Sequence, residues 1–319
     1  MTTPISLEQI RTVRSLIDPV FLDSPILAPA DLADALGCTP VLKIETLNPI
    51  RSFKGRGTEA LMASLSSMPK SVVATSSGNF GQGLARAATR RGVKAIIYSG
   101  AGDNPLKLDA MHRLGAEVRL VPEGGDGKGE ARRAAAEIGA LLVEDGAHSE
   151  IAAGAGTIAL ELLAQAGNLD VVVVQIGDGA LIAGVGSCFR AMSPATRIIG
   201  VTAAAAPAMR ASLEKGEPVS AIPRTIADGL AIHRPVATAI EEVRSVVDDI
   251  IEVEEEEILD AVALLLKRTS LVAEPSGAVG VAALMRRPEI FRGRTVGSII
   301  TGSNIRPDLL LAAASRDPF

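Results

Sequence analysis

Short β-branched runs, each followed by a longer helical pattern, recur along this chain and constrain its fold more than any other feature. "SVVATSS" precedes "NFGQGLARAATRRG", "KAIIYS" precedes "NPLKLDAMHRLG", and "AEVRLVP" precedes "GEARRAAAEIG". Strand, helix and strand at this spacing are the mark of right-handed crossovers onto a parallel sheet. A second series follows, in which "DVVVVQIG", "RIIGVTA", "SVVDDIIEV" and "RTVGSIITGSN" read as strands among helices over 155–166, 179–192, 255–268 and 276–286. Val171 to Val174 are apolar on consecutive positions, as in strands covered on both faces. Two α/β units are therefore expected, and 319 residues give each a full core. The pattern contains no internal repeat, low-complexity tract or long linker.

Several function classes drop out on composition. A net charge of −5, no basic run and only 2% aromatic residues argue against nucleic acid as a partner. Cys38 and Cys188 are far apart, and His112, His148 and His233 form no i, i+4 pair, so no transition-metal site is expected. No apolar run approaches the roughly 18–20 residues that span a bilayer. The start "MTTPISLEQIRTVRSLI" reads as a polar opening and an amphipathic helix, so a reduced, cytoplasmic protein with no membrane partner is expected. The acidic run "EVEEEEILDAV" reads as the first turn of a helix complementing its dipole.

Ligands of open α/β sheets bind beyond the carboxyl ends of the strands, which directs attention to the strand-to-helix turns. In "TSSGNFGQG", residues 75–83, small hydroxyl residues and a glycine precede a helix starting at or near Asn79, a ready cradle for a carboxylate. In "IGDGALIAG", residues 176–184, glycines let the backbone approach an anion at a helix amino end. The turn "ITGSN", residues 300–304, ends a strand in a threonine whose hydroxyl can meet a ring nitrogen. In "NPIRSFKGRG", residues 48–57, Ser52 is the expected N-cap and Lys54 falls in the first helical turn. The positive end of the dipole disfavours an ammonium there, and the same misfit lowers the amine's pKa, as a Schiff-base lysine requires. An exposed surface lysine is the plain alternative.

Taken in order, "SFKGRG", "SSGN", "GTIALE", the glycine loop after "VVVVQI", "IADGLA", "AEPSGA" and "TGSN" resemble the fold-type II pyridoxal-phosphate enzymes. The likeness is to their threonine/serine dehydratase and serine racemase branch and runs from about Leu7 to Ile305. It implies a tryptophan synthase β-like fold: two three-layer α/β domains with mainly parallel sheets. Residues 1–70 and 147–319 would form a large cofactor-binding domain, and 71–146 a small mobile domain carrying the substrate-carboxylate loop. By the same resemblance Lys54 bonds the aldehyde of pyridoxal 5'-phosphate, Phe53 packs beside the cofactor, and Asn79 bonds its ring hydroxyl. Ser76, Ser77, Gly78, Asn79 and Phe80 would wrap the substrate carboxylate. Gly177, Asp178, Gly179, Ala180 and Leu181 would cradle the phosphate, and Thr301 would face the pyridine nitrogen. A homodimer acting on a small amino acid is implied.

A neutral hydroxyl at the pyridine nitrogen weakens the ring as an electron sink, so loss of a β leaving group competes well with transamination. Lys54, freed when substrate takes the aldehyde, is placed to remove the α-proton, and the cofactor phosphate can protonate a departing hydroxyl. Dehydration and deamination of a β-hydroxy amino acid is the expected activity. Ser77 stands where many such dehydratases carry alanine and serine racemases a second acid/base, which makes amino-acid racemisation the runner-up. A noncatalytic amino-acid sensor and a nicotinamide-binding protein are further alternatives, although the latter leaves Lys54 unexplained. Four departures stand out. Phe80 replaces a usual histidine, and Arg51 replaces a common glycine and brings a cation towards the lysine. Asp178 and Ala180 replace loop glycines, with Asp178 expected to turn away from the phosphate. "TAAAAPAM", residues 202–209, lacks the carboxylates that bind a divalent cation in racemase-like members, so no metal is expected. The chain stops soon after "TGSN", so the regulatory domain of biosynthetic threonine dehydratases is not expected.

Overall fold

Ten strands build two sheets in the computed structural model, which describes residues 5–122 and 124–318. They are β1 (Ile26–Leu27), β2 (Thr39–Ile44), β3 (Ser71–Thr75), β4 (Lys94–Gly100), β5 (Glu117–Val121), β6 (Leu141–Val143), β7 (Val171–Gln175), β8 (Arg197–Ala203), β9 (Asp249–Val253) and β10 (Thr295–Ile300). The larger sheet has the order β1-β2-β10-β7-β8-β9, and the smaller has the order β5-β4-β3-β6. Every pairing is parallel except β1 with β2. The expected two-sheet, mainly parallel α/β architecture is thus what the chain adopts. The smaller sheet takes all its strands from residues 71–143, between β2 and β7 of the larger.

The valines of β7 show why this arrangement holds. Val172 and Val174 point into one core and Val171 and Val173 into another, all four fully buried. Fully burying each such side chain contributes about 1.5–3 kcal/mol, so an apolar residue is favoured on both faces. The helix expected over 155–166 begins earlier, at Ser149, because its first turns are small residues that carry little apolar periodicity. The acidic run does open a helix at Glu255, where Glu254 and Glu257 form a capping box.

Three helices that frame the site meet backbone to backbone through glycine. A Cβ on Gly57 would lie 2.7 Å from the Ile151 carbonyl oxygen, and one on Gly154 2.7 Å from that of Arg56. One on Gly184 would lie 1.8 Å from the Ala152 oxygen. These contacts bind the helices Lys54–Ser64, Ser149–Ala166 and Ala180–Met192 into one frame. We expect Gly184→Ala to cost about 1–3 kcal/mol of stability through overpacking, despite alanine's better helix propensity, as a lowered urea midpoint.

A buried ionic network stands behind the same frame. Arg56 Nε and Nη2 donate to Glu45 at 2.8 Å each, and Nη1 and Nη2 donate to Glu161 at 2.6 and 2.8 Å. Lys43 Nζ, one residue before the end of β2, donates to Glu161 Oε2 at 2.7 Å. Two cations and two carboxylates balance, which is what allows charge to stay buried.

Candidate active site

Lys54 opens its helix, with Phe53 rather than Ser52 in the cap position; the Ser52 hydroxyl still accepts the Lys54 N–H at 3.4 Å. The Ser52–Gly302 bridge pins this turn to the end of β10. Arg51 holds a left-handed φ of 53°, and its exposed side chain does not line the cavity described below, contrary to the expected cation beside the lysine. The amine itself lies 2.5 Å from Asp145 Oδ2 and 2.9 Å from Asp178 Oδ2. Its charge state corrects another expectation. Burial depresses the amine, but the two carboxylates outweigh it and hold the group above the ordinary lysine value. The rings of Phe53 and Phe80 stand 5.0 and 5.9 Å from the same nitrogen.

After β3 the chain turns into the helix Asn79–Thr89 at the expected residue. The Ser76 hydroxyl oxygen accepts the N–H groups of Gly78 and Gly81 at 3.1 and 2.9 Å, so it braces the loop from within. Asn79 donates to Glu274 Oε1 at 2.5 Å, and its own oxygen accepts from Asn304 at 2.8 Å. After β7, Gly177 passes so close to Gly229 that a Cβ would lie 2.5 Å from its oxygen, and Gly179 takes φ +103°. Both positions need glycine for those reasons. Asp178, expected to turn away from this cradle, turns into it: Oδ1 accepts the Ala180 N–H at 3.0 Å, the first amide of the following helix. Thr301, the residue after β10, donates to the Ser276 carbonyl at 3.4 Å.

These turns enclose a cavity of about 330 Å³ at the carboxyl ends of strands from both sheets. Phe53, Lys54, Ser76, Ser77, Gly78, Asn79, Phe80, Gly177, Asp178, Gly179, Leu181 and Thr301 line it; Ala180 does not, and its N–H is bonded to Asp178. Among the further charged lining residues that no sequence argument assigned are Asp145, Lys107, Asp228 and Glu274. Lys107 Nζ meets Asp228 Oδ2 at 2.7 Å and Glu274 Oε2 at 3.0 Å, joining a helix over the smaller sheet to loops of the larger. Asp228 and Glu274 sit inside "IADGLA" and "AEPSGA", a signal that could have marked them. Asp145 has none, following Glu144 after a three-residue strand.

The model of the pyridoxal-phosphate dependent enzymes matches residues 17–302. The chain belongs to that family. L-threonine ammonia-lyase of Thermotoga maritima is 36% identical over 314 residues, which cover 96% of this chain and 77% of that relative. The Geobacter sulfurreducens protein of the same name is 38% identical over 278 residues, 86% of this chain and 69% of its own. Among solved structures, the threonine deaminase of T.th. superposes with a TM-score of 0.86 at 34% identity, covering 94% of this chain and 99% of that one. Maize serine racemase gives 0.89 at 26% identity, covering 98% and 97%. The residues present fit the family's cofactor: a lysine amine, a glycine cradle at a helix amino end and a threonine hydroxyl open on one cavity. The exception is Asp178, whose carboxylate holds a cradle amide that a phosphate needs.

Proposed function

We infer that this chain is a pyridoxal-phosphate-dependent ammonia-lyase that dehydrates and deaminates a β-hydroxy amino acid such as threonine or serine, giving a 2-oxo acid and ammonia. The observation that carries this reading is the Lys54 amine in one cavity with both the glycine cradle and the loop 76–80. Gly177, Gly179, Ala180 and Leu181 would hold the cofactor phosphate, Thr301 the ring nitrogen and Asn79 the ring hydroxyl. Bound pyridoxal phosphate supplies the electron sink that acidifies the substrate's α-proton. Lys54 removes that proton. With the Gly78 and Gly81 amides held by Ser76, the amides of Ser77, Asn79 and Phe80 are left to bind the substrate carboxylate. Phe53 and Phe80 exclude water beside the amine and lower the local dielectric around the transferring proton.

Holoenzyme incubated with L-threonine and with L-serine should release equal amounts of 2-oxo acid and ammonia. Chiral analysis of the same samples reads the alternative, racemisation, for which Ser77 in the cavity wall is the candidate second acid. Net enantiomer exchange without 2-oxo acid would replace the dehydratase reading. In this proposal residues 71–146 move as a unit against 1–70 and 147–319, and the chain works as a cytoplasmic homodimer, which sedimentation tests. Among the described residues no helix is long and apolar enough to cross a membrane.

The cradle yields a further prediction. A phosphate dianion entering beside the Asp178 carboxylate meets like charge and a donor already taken. Asp178→Gly should therefore tighten pyridoxal-phosphate binding about tenfold in equilibrium dialysis, some 1.4 kcal/mol. Unchanged or weaker binding would mean that Asp178 leaves the cradle freely.

A further inference from the structure

Asp145 follows β6 in the segment that returns from the smaller sheet to the Ser149–Ala166 helix. One carboxyl oxygen, Oδ2, is 2.5 Å from Lys54 Nζ. The other, Oδ1, is buried and has no hydrogen-bond partner among the described residues. Native structures rarely leave such an oxygen orphaned unless a ligand or a reacting group completes it. Asp178, the second carboxylate on this amine, differs because its Oδ1 is committed to the Ala180 N–H. That bond favours the ionised form of Asp178 and leaves Asp145 as the member of the pair that exchanges protons. Burial and the neighbouring Asp178 push Asp145 up to about 7, in keeping with that division.

Several other polar groups of the wall are engaged elsewhere. Lys107, Glu274 and Asn79 hold one another, Ser76 holds two amides, and Asp103 accepts from the Ser99 hydroxyl and the Gly100 N–H. Phe80, placed where the branch it resembles has histidine, carries no proton.

We propose that Asp145, in place of the expected cofactor phosphate, is the catalytic acid of the elimination, taking from Lys54 the proton abstracted at Cα and delivering it to the departing β-hydroxyl. This rests on the reading of Lys54 as the base. The Cα–H bond breaks and its proton goes to Nζ; an N–H proton then passes to the Asp145 carboxylate. The resulting acid protonates the hydroxyl oxygen as the Cβ–O bond breaks with its electron pair, so that water leaves. The Cα–H pair ends as the Cα–Cβ π bond. Amine and carboxylate finish as they began, and no outside oxidant or base is needed.

Leaving groups separate this role from mere positioning of the lysine. Chloride departs without a proton, whereas hydroxide does not. Cofactor-loaded Asp145→Asn should lose about 100-fold in kcat on L-serine or L-threonine, the lower range of general acid–base effects, and less than about fivefold on β-chloro-L-alanine. Its cofactor titration, followed by absorbance, reports whether the site is intact. Asp145→Ser, a smaller side chain, repeats the comparison if the asparagine variant fails to bind cofactor. Equal losses on both substrates, or no loss on the hydroxy amino acids, would overturn the proposal. A wild-type protein that takes up no cofactor and releases no ammonia from any of the three would overturn the functional reading itself, a result visible before any variant is made.

Discussion

Lys54→Ala should fold, bind pyridoxal phosphate without a covalent link, and lose roughly 10⁴-fold or more of its ammonia release. The size of the loss follows from the two roles proposed for one nitrogen, the covalent anchor and the base. Lys54→Arg is the informative partner. It keeps a cation between Asp145 and Asp178 but cannot bond the aldehyde, so it should match the wild type in stability and the alanine variant in inactivity. In Lys54→Ala the two buried carboxylates face each other without their cation, and that variant should melt at lower temperature than the arginine one. Borohydride reduction followed by peptide mapping checks the covalent link. Substantial ammonia release from Lys54→Ala would remove Lys54 from the mechanism.

The largest effect on stability is expected at Arg56. Its guanidinium is fully buried and bonded to both carboxylates of Glu45 and Glu161, which are themselves no more than 3% exposed. Arg56→Leu leaves one cation, Lys43, for two buried acids and should cost about 3–5 kcal/mol, read as a fall in the urea midpoint. The same network makes stability acid-sensitive. Burial raises the Glu161 carboxyl, but Arg56 and Lys43 outweigh it and hold the group at about 2, below the ordinary 4.5. A carboxyl depressed on folding stabilises the native state above its unfolded pKa, and the contribution disappears as pH falls from about 4.5 towards 2. The group accounts for about 3 kcal/mol across that window. Denaturation at pH 5, 4 and 3 should show the decline, and a flat profile would mean that the network titrates as a unit at lower pH.

Much of this architecture was legible because the strands that carry it are β-branched runs between helical patterns; β3, β4, β5, β7, β8, β9 and β10 all announce themselves in that way. β1, β2 and β6 do not. β1 is two residues and β6 three, too short for any period, and "TPVLKI" of β2 carries a proline and a lysine that argue against a central strand. Lys43 is tolerated there because Glu161, 118 positions on, neutralises it. The candidate site divides along the same line. Lys54, the loop 76–80, the glycine cradle and Thr301 lie at strand-to-helix turns, where backbone chemistry is local and readable. Asp145, Lys107, Asp228 and Glu274 act through partners 91 to 195 positions away, and a lone charge gives no sign of what it will meet. The direction of the Lys54 shift failed for that reason: the dipole is written in the sequence, whereas the carboxylates arrive only with the fold.

The chain passes between its two sheets twice, outward after Ser64 into β3 and back after Val143 into the helix at Ser149. Lys54 is mounted before the outward passage and Asp145 on the return one, so under the proposed division the amine belongs to the larger unit and Asp145 to the last residues of 71–146. A swing of residues 71–146 would then act as a clutch. Tilted open to admit or release small molecules, the halves of the proposed proton path would be disengaged; brought together, they would mesh as the cavity shuts. Traffic through the mouth and proton traffic at its floor would alternate, and no separate latch would be needed to keep them out of step.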